Sequence, residues 1–234
     1  MQERKHVIDI SRLQFRWREG LPLVLDIDEL HIQRGERVFI KGASGSGKST
    51  LLSLMAGVLS PQQGRLSILD NELTQMKGAQ RDAFRADHIG FVFQMFNLLP
   101  YLSVIDNVTL PLHFSKRRKQ KVPQAEQEAE RLLAHLDLTG PEILSRPVSE
   151  LSVGQQQRVA AARALIGGPE ILIADEPTSA LDADRRESFI KLLLTECDTS
   201  DITLIFVSHD EALQNHFDRS LSLGDINHAT SRGE

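Results

Sequence analysis

Gly42-Ala43-Ser44-Gly45-Ser46-Gly47-Lys48-Ser49-Thr50 is the stretch on which the reading of this chain turns. It has the spacing G-x-x-x-x-G-K-[ST], and its flanks are the ones that spacing requires. Before it, Arg37-Val-Phe-Ile-Lys41 predicts a buried strand; after it, the apolar spacing of 48–59 predicts a helix that stops at Ser60-Pro61. Glycines let successive backbone N–H groups curl around phosphate oxygens, and the helix N-terminus adds positive potential. In such a loop Lys48 reaches the β- and γ-phosphates of a nucleotide, and the Ser49 hydroxyl is a ligand for Mg²⁺.

Working outward, apolar residues come in short runs of period two: Ile8 and Ile10, then Leu13, Phe15 and Trp17, then Leu23, Leu25 and Ile27, then Leu30 and Ile32. That pattern predicts antiparallel strands, turning at Gly20, Pro22 and Gly35. Short strands are expected at 65–69, with Asp70-Asn71 as the turn, and at 89–93. From Asn97 to about Ser149, prolines at 100, 111, 123, 141 and 147 punctuate helical pieces, the clearest at 124–138 behind a first-turn Pro123. A helix at 152–166, a strand at 171–174, a helix at 184–195 and a strand at 202–207 resume the alternation. Strands alternating with helices imply a mostly parallel sheet, so the expected class is α/β with a helical insert.

Two further segments carry chemistry. Ile171-Leu-Ile-Ala-Asp175-Glu176-Pro177 is an apolar strand that delivers two carboxylates at its C-terminal end, where ligands gather in parallel sheets. Asp175 suits the Mg²⁺ shell, which leaves Glu176 to polarise a water and favours hydrolysis. Leu151-Ser152-Val153-Gly154-Gln155-Gln-Gln-Arg158 heads an Ala-rich helix. Ser152 is placed to cap it, and the first-turn N–H groups offer a second anion site.

Composition bounds the partners. The chain has 234 residues, with 41% hydrophobic and 25% charged, close to the average for globular proteins, and long enough for a sizeable core. The net charge of −5 argues against a chain devoted to neutralising nucleic-acid phosphates, and no nucleic acid is expected. Cys197 is the single cysteine, so an intramolecular disulfide is impossible and a reducing compartment fits. The N-terminal residues have no apolar run of the secretory type, and the longest stretch without Asp, Glu, Lys or Arg, 88–105, holds Gln94, Asn97 and Pro100 and predicts no membrane span.

Taken in order, the phosphate loop, the LSVGQQQR segment, the run from Ile171 through Asp182, and Val207-Ser-His209-Asp resemble the nucleotide-binding cassette of ABC ATPases over about residues 7–225. The resemblance implies a P-loop NTPase (RecA-like) core with an N-terminal antiparallel β subdomain, about 1–96 and 150–234, and an inserted helical subdomain, about 97–149. It also implies ATP and Mg²⁺ as ligands. Two cassettes would meet head to tail, with the tip formed by Ser152, Val153, Gly154 and Gln155 clamping the γ-phosphate held by the other's loop. Gln94 resembles the glutamine that contacts Mg²⁺ and the attacking water, His209 the switch histidine at the γ-phosphate, and Asp182 the aspartate that communicates across the dimer. Trp17 falls where the family stacks an aromatic on adenine, with Phe15 as runner-up. Val153 replaces the family's first signature glycine; it retains its N–H, and at φ above zero it would be strained.

The segment Gly90-Phe-Val-Phe-Gln-Met-Phe-Asn-Leu-Leu-Pro100, followed by Asn107-Val-Thr-Leu-Pro-Leu112, is similar to the group holding the LolD, MacB and FtsE types, although amino-acid importers carry related segments. This implies a separate multi-span permease and a peripheral place on the cytoplasmic face of the inner membrane. The alternative is a soluble ABC-type ATPase acting on nucleic acid or the ribosome. A kinase or GTPase would lack the LSVGQ segment, and the guanine motif Asn-Lys-x-Asp does not occur. The basic run Lys116-Arg-Arg-Lys-Gln-Lys121 reads as a solvated loop or helix face, or as a contact for anionic headgroups or acidic partner segments.

Overall fold

The computed structural model describes residues 5–179 and 181–229. Ala180, within the expected run to Asp182, and the ends of the expected cassette at 1–4 and 230–234 lie outside the described residues. The strands are β1 His6–Phe15, β2 Leu25–Gln33, β3 Arg37–Lys41, β4 Gln63–Ile68, β5 Asn71–Glu72, β6 Ile89–Val92, β7 Ile171–Asp175, β8 Thr203–Val207 and β9 Arg219–Ser222. The helices in the first half are α1 Lys48–Met55, α2 Gly78–His88, α3 Val104–Thr109, α4 Pro111–Phe114 and α5 Lys116–Lys121. Then follow α6 Ala125–His135, α7 Pro141–Leu144, α8 Val153–Leu165, α9 Ala183–Thr199 and α10 Leu223–Ile226. The chain divides into two compact units, 1–85 with 205–234, and 86–204.

In the first unit, β1 pairs antiparallel with both β2 and β4, and β4 with β5. Ile8, Ile10, Leu13, Leu25, Ile27 and Ile32 are all buried, as the sequence predicts, but the parity changes between Ile10 and Leu13, where Arg12 takes φ 46, and between Ile27 and Ile32. The β4–β5 turn is centred on Leu69 and Asp70, both at positive φ, one residue before the expected pair, because a two-residue turn with two left-handed residues matches the twist of its strands. β3 pairs parallel with β9, and Ser208, just past β8, donates its N–H to the Ile40 carbonyl of β3. Phe39, Phe206 and Phe217 pack together there. Helix α1 is shorter than expected. Gly57, at φ 68, donates to Leu54 O and Val58 donates to Ser53 O, a left-handed cap that ends the helix four residues before the predicted stop at 59.

In the second unit, β6 and β7 run parallel, and Thr203 at the start of β8 donates to Glu170 O beside β7. The Ala-rich α8 is the hub, packed on β6, α3 and α6. Its alanines at 160–162 and 164 are buried and let neighbours approach closely. The closest is Gly90 of β6, where an added Cβ would lie 2.3 Å from the Ala164 carbonyl oxygen. Helix α6 begins at Ala125 with Gln124 as cap, so Pro123 precedes the cap instead of occupying the first turn. It stops at His135 because Asp137 turns left-handed, while α9 runs on to Thr199, beyond the expected 195.

The basic run departs most from its reading as a solvated face. It forms α5, capped by Ser115, and Arg118 is only 2% exposed. Its Nε donates to Ile166 O at 2.8 Å and its Nη2 to Ala164 O at 2.8 Å, so the guanidinium caps the C-terminus of α8. Burial lowers its pKa to about 10, against the pull of Glu170 and Asp87, which leaves it charged at neutral pH. Arg117 pairs with Glu170, and Lys121 donates to Gly168 O. Lys116 and Lys119 remain exposed.

Glu170 gathers His88, 3.1 Å away, with Arg117 and Lys121. Burial works to raise its pKa, but the hydrogen bonds from His88 and Arg117 and the charges of His88 and Lys121 prevail and hold it at about 2. The folded state thus favours the carboxylate, a contribution complete above the ordinary 4.5 and lost as pH falls from there towards 2. Glu170→Gln is expected to lower the melting temperature at pH 6 by about 3–8 °C, corresponding to on the order of 1–2 kcal/mol after solvent screening. Melting curves across pH 3–7 should show that gap closing below pH 4.5.

Candidate functional site: a phosphate loop, two carboxylates and a capped helix tip

The phosphate loop is in the first unit. Gly47 is the N-cap of α1 at φ 101, a left-handed position where a Cβ would lie 2.9 Å from Leu25 Cδ2. Gly45 is also left-handed, at φ 77. Lys48 is only 8% exposed, and its ammonium donates to Gly42 O at 2.8 Å and Ala43 O at 2.9 Å, so its charge is held at the loop. Ala43, Ser44 and Ser49 are exposed, Thr50 is buried, and the buried Ser46 hydroxyl has no hydrogen-bond partner.

Asn227 ties this loop down. Its Nδ2 donates to Val24 O at 2.9 Å and Ser46 O at 3.4 Å, and its Oδ1 accepts from the Asp26 N–H. Nothing in the sequence marks this role, since a lone Asn following α10 carries no periodic signal. Trp17 lies just past β1, 59% exposed, and meets Phe15 edge-on at 5.3 Å, whereas Phe15 is buried at 4%. Of the two aromatics, Trp17 has the face available for stacking. His209 follows β8 and is exposed, while the Ser208 before it is buried and accepts the Asp210 N–H.

The second unit carries the other residues. Asp175 ends β7, and Glu176 follows at φ 45. A left-handed glutamate is uncommon, and such backbone positions cluster where side-chain placement matters more than local comfort. Both are half-buried. Gln94, two residues past β6, is exposed, flanked by exposed Phe93 and by Met95 at 80% exposure.

Two residues hold the loop that follows Gln94. Asn107, fully buried, accepts from the Leu99 N–H and donates to the carbonyls of Leu99, Leu102 and Ser103. Arg163 donates to Phe96 O and Asn97 O, and burial lowers its pKa. Neither role can be read from spacing, because both pair with carbonyls distant from them along the chain or irregular in conformation.

Ser152 caps α8 as expected, in a capping box. Its Oγ accepts the Gln155 N–H at 3.4 Å, and Gln155 Oε1 accepts the Ser152 N–H at 2.9 Å. Val153 is the first helical residue, 49% exposed, and is not among the residues at positive φ, so the condition under which valine would be strained is not met. A Cβ on Gly154 would meet only Leu181 Cδ2, at 3.7 Å. Asp182 caps α9, accepting the Arg185 N–H.

A family model described as "ABC transporter" matches residues 25–179. The chain belongs to the ABC transporter family. This ABC cassette is 40% identical to the lipoprotein-releasing system ATP-binding protein LolD of Syntrophotalea carbinolica over 86% of its own length and 87% of that protein's. It is 41% identical to the macrolide export ATP-binding/permease protein MacB of Chromobacterium violaceum, over 84% of this chain and 30% of MacB. Among solved structures, it is similar to the ATP-binding cassette MJ0796 in a dimeric post-hydrolysis state bound to ADP and Pi. The TM-score is 0.82, with 34% identity, covering 92% of this chain and 93% of that one. The ABC cassette is an α/β P-loop ATPase that binds and hydrolyses ATP, and these relatives do not favour the nucleic-acid or ribosome alternative.

Proposed function

We propose that this cassette drives a separate transmembrane permease, as a peripheral subunit on the cytoplasmic face of the membrane, through ATP-dependent closure of two copies. The observation that carries the proposal is the exposed apolar surface flanking Gln94. Phe93, Met95 and Tyr101 are exposed at 39%, 80% and 75%, in a chain where no helix among the described residues is long and apolar enough to cross a membrane. An apolar surface next to a site residue calls for a partner helix to cover it. The likeness to LolD along most of both chains, a protein named for lipoprotein release, supports a transport role.

Within each copy, the loop 42–50 and Lys48 bind the phosphates, Trp17 stacks on the adenine, and Glu176 draws the proton from the attacking water. His209 contacts the γ-phosphate, and Gln94 joins the water to the loop that Asn107 and Arg163 hold. Ser49, Gln94 and Asp175 each offer an oxygen donor of the kind that suits Mg²⁺, a hard cation that neutralises phosphate charge. The tip at Ser152, Val153, Gly154 and Gln155 serves the other copy's nucleotide, and Asp182 lies on that shared surface. The room at Gly154 supports this, since among the described residues an added Cβ would make only ordinary contact, with Leu181. The proposed layout assigns about 97–149 to the helical subdomain and the rest to the core and β subdomain.

Met95→Asp combined with Tyr101→Asp tests the docking face. In detergent extracts the tagged wild-type cassette should bring down a multi-span membrane protein, and the double variant should lose at least 10-fold of it while keeping its ATPase rate. Recovery of ribosomes or nucleic acid instead, or unchanged recovery of the membrane protein, would contradict the proposal.

A further inference from the structure

We propose that the outer face of the β1–β2 ribbon is a transition-metal site, suited to Zn²⁺ and held by His6, Asp9 and His31. Their ligand atoms all lie within 4.8 Å of one another. Asp9 and His31 are direct partners across the antiparallel pair, so they share a face. That face is opposite the one on which Ile8, Ile10 and Ile32 are fully buried. His6 would fall on the buried face by simple alternation. The register between β1 and β2 shifts between His6 and Ile8, an extra residue that re-aims the side chain. His6 is exposed and stacks on His31, with ring centroids 4.6 Å apart and 15° between planes.

The hydrogen bonds around His31 argue for a cation. Its Nε2 is 2.5 Å from Glu29 Oε1, and a carboxylate accepts, so Nε2 donates there and the neutral ring keeps its lone pair on Nδ1. Nδ1 is buried, has no hydrogen-bond partner, and faces Asp9 Oδ2 at 3.7 Å. In the neutral ring two acceptors then converge on one gap, an arrangement that either a bound metal cation or a proton on Nδ1 resolves. A carboxylate on the far nitrogen of a ligating imidazole is also the usual outer support of a metal-binding histidine.

Neighbouring positive charges are already matched, Lys5 by Asp70 and Arg65 by Glu72. Two imidazoles and one carboxylate select Zn²⁺ over Mg²⁺ or Ca²⁺, which take oxygen, so the site is chemically distinct from that of the nucleotide's ion. Tetrahedral bonds of about 2.0–2.1 Å put donors about 3.3 Å apart, so on binding the two stacked rings would have to turn until their in-plane lone pairs converge on the ion. Water would complete the shell. The bound ion would pin the N-terminal strand to its neighbour.

The test uses the full chain, stripped with chelator and desalted, with Zn²⁺ titrated in competition with a chromophoric chelator. One equivalent should bind, and His6→Gln and His31→Gln should each weaken it at least 10-fold, with circular dichroism unchanged. Glu29→Gln should weaken it less, and Asp175→Asn not at all. With Co²⁺ as probe, visible d–d bands should appear in the wild type and vanish in His31→Gln. No bound equivalent would overturn the proposal, meaning that a proton occupies the gap. Affinity unchanged in both histidine variants, or lost in Asp175→Asn, would overturn it as well.

Discussion

Glu176→Gln lowers ATP turnover by about 10²–10⁴ while leaving ATP affinity within about twofold of wild type, the effect expected when one general base is removed. The amide keeps the shape and the left-handed backbone of Glu176, at φ 45, but has no lone-pair charge to draw a proton from water. In the proposed site nucleotide affinity rests on Lys48 and the glycine loop, residues that the substitution leaves unchanged. Steady-state phosphate release and equilibrium binding of a fluorescent ATP analogue separate the two quantities. A turnover close to wild type would move the base to another residue, and a lost affinity would show that Glu176 instead shapes the nucleotide site.

The second large effect is on stability. Arg118→Leu should destabilise the fold by about 2–4 kcal/mol, because the carbonyls of Ala164 and Ile166 at the end of α8 lose a charged donor in a buried place. For a chain of this size that is about 4–16 °C in melting temperature. Arg118→Lys should recover only part of it, since an ammonium cannot reproduce the fork that reaches both carbonyls. Lys116→Gln and Lys119→Gln, at exposed positions of the same helix, should stay within about 0.5 kcal/mol. Urea midpoints of the four variants decide. They also show that neutralising the whole basic run would damage the fold, so any contact of this helix with an anionic surface has to be probed at Lys116 and Lys119 alone.

Local rules made the core of the fold legible. The run 37–41 is short, β-branched and bounded by glycine, and it became β3 with the predicted ends. The Ser152 and Gln155 pair, three residues apart before a helix, became a capping box. What the sequence hid falls into two kinds. Helix α2 buries only Phe84, so it has almost no apolar face to betray its period. The other kind depends on partners far along the chain: the inward turn of Arg118, the buried Asn107, the tie from Asn227, and the outward turn of His6 at a register shift. In each, the residue type was visible and its acceptor or strand partner was not. The exposure of Trp17 and the burial of Phe15 likewise follow from where β1 ends, a boundary that alternation alone does not fix.

The central claim is that two copies close on ATP, each lending its Ser152 tip to the other. Light scattering of Glu176→Gln with ATP and Mg²⁺ tests it most directly. The measured mass should double on adding ATP, stay at the monomer value with ADP, and remain monomeric with ATP when Ser152→Arg is added to the same chain. A mass that stays at the monomer value with saturating ATP, or a dimer indifferent to Ser152→Arg, would contradict it.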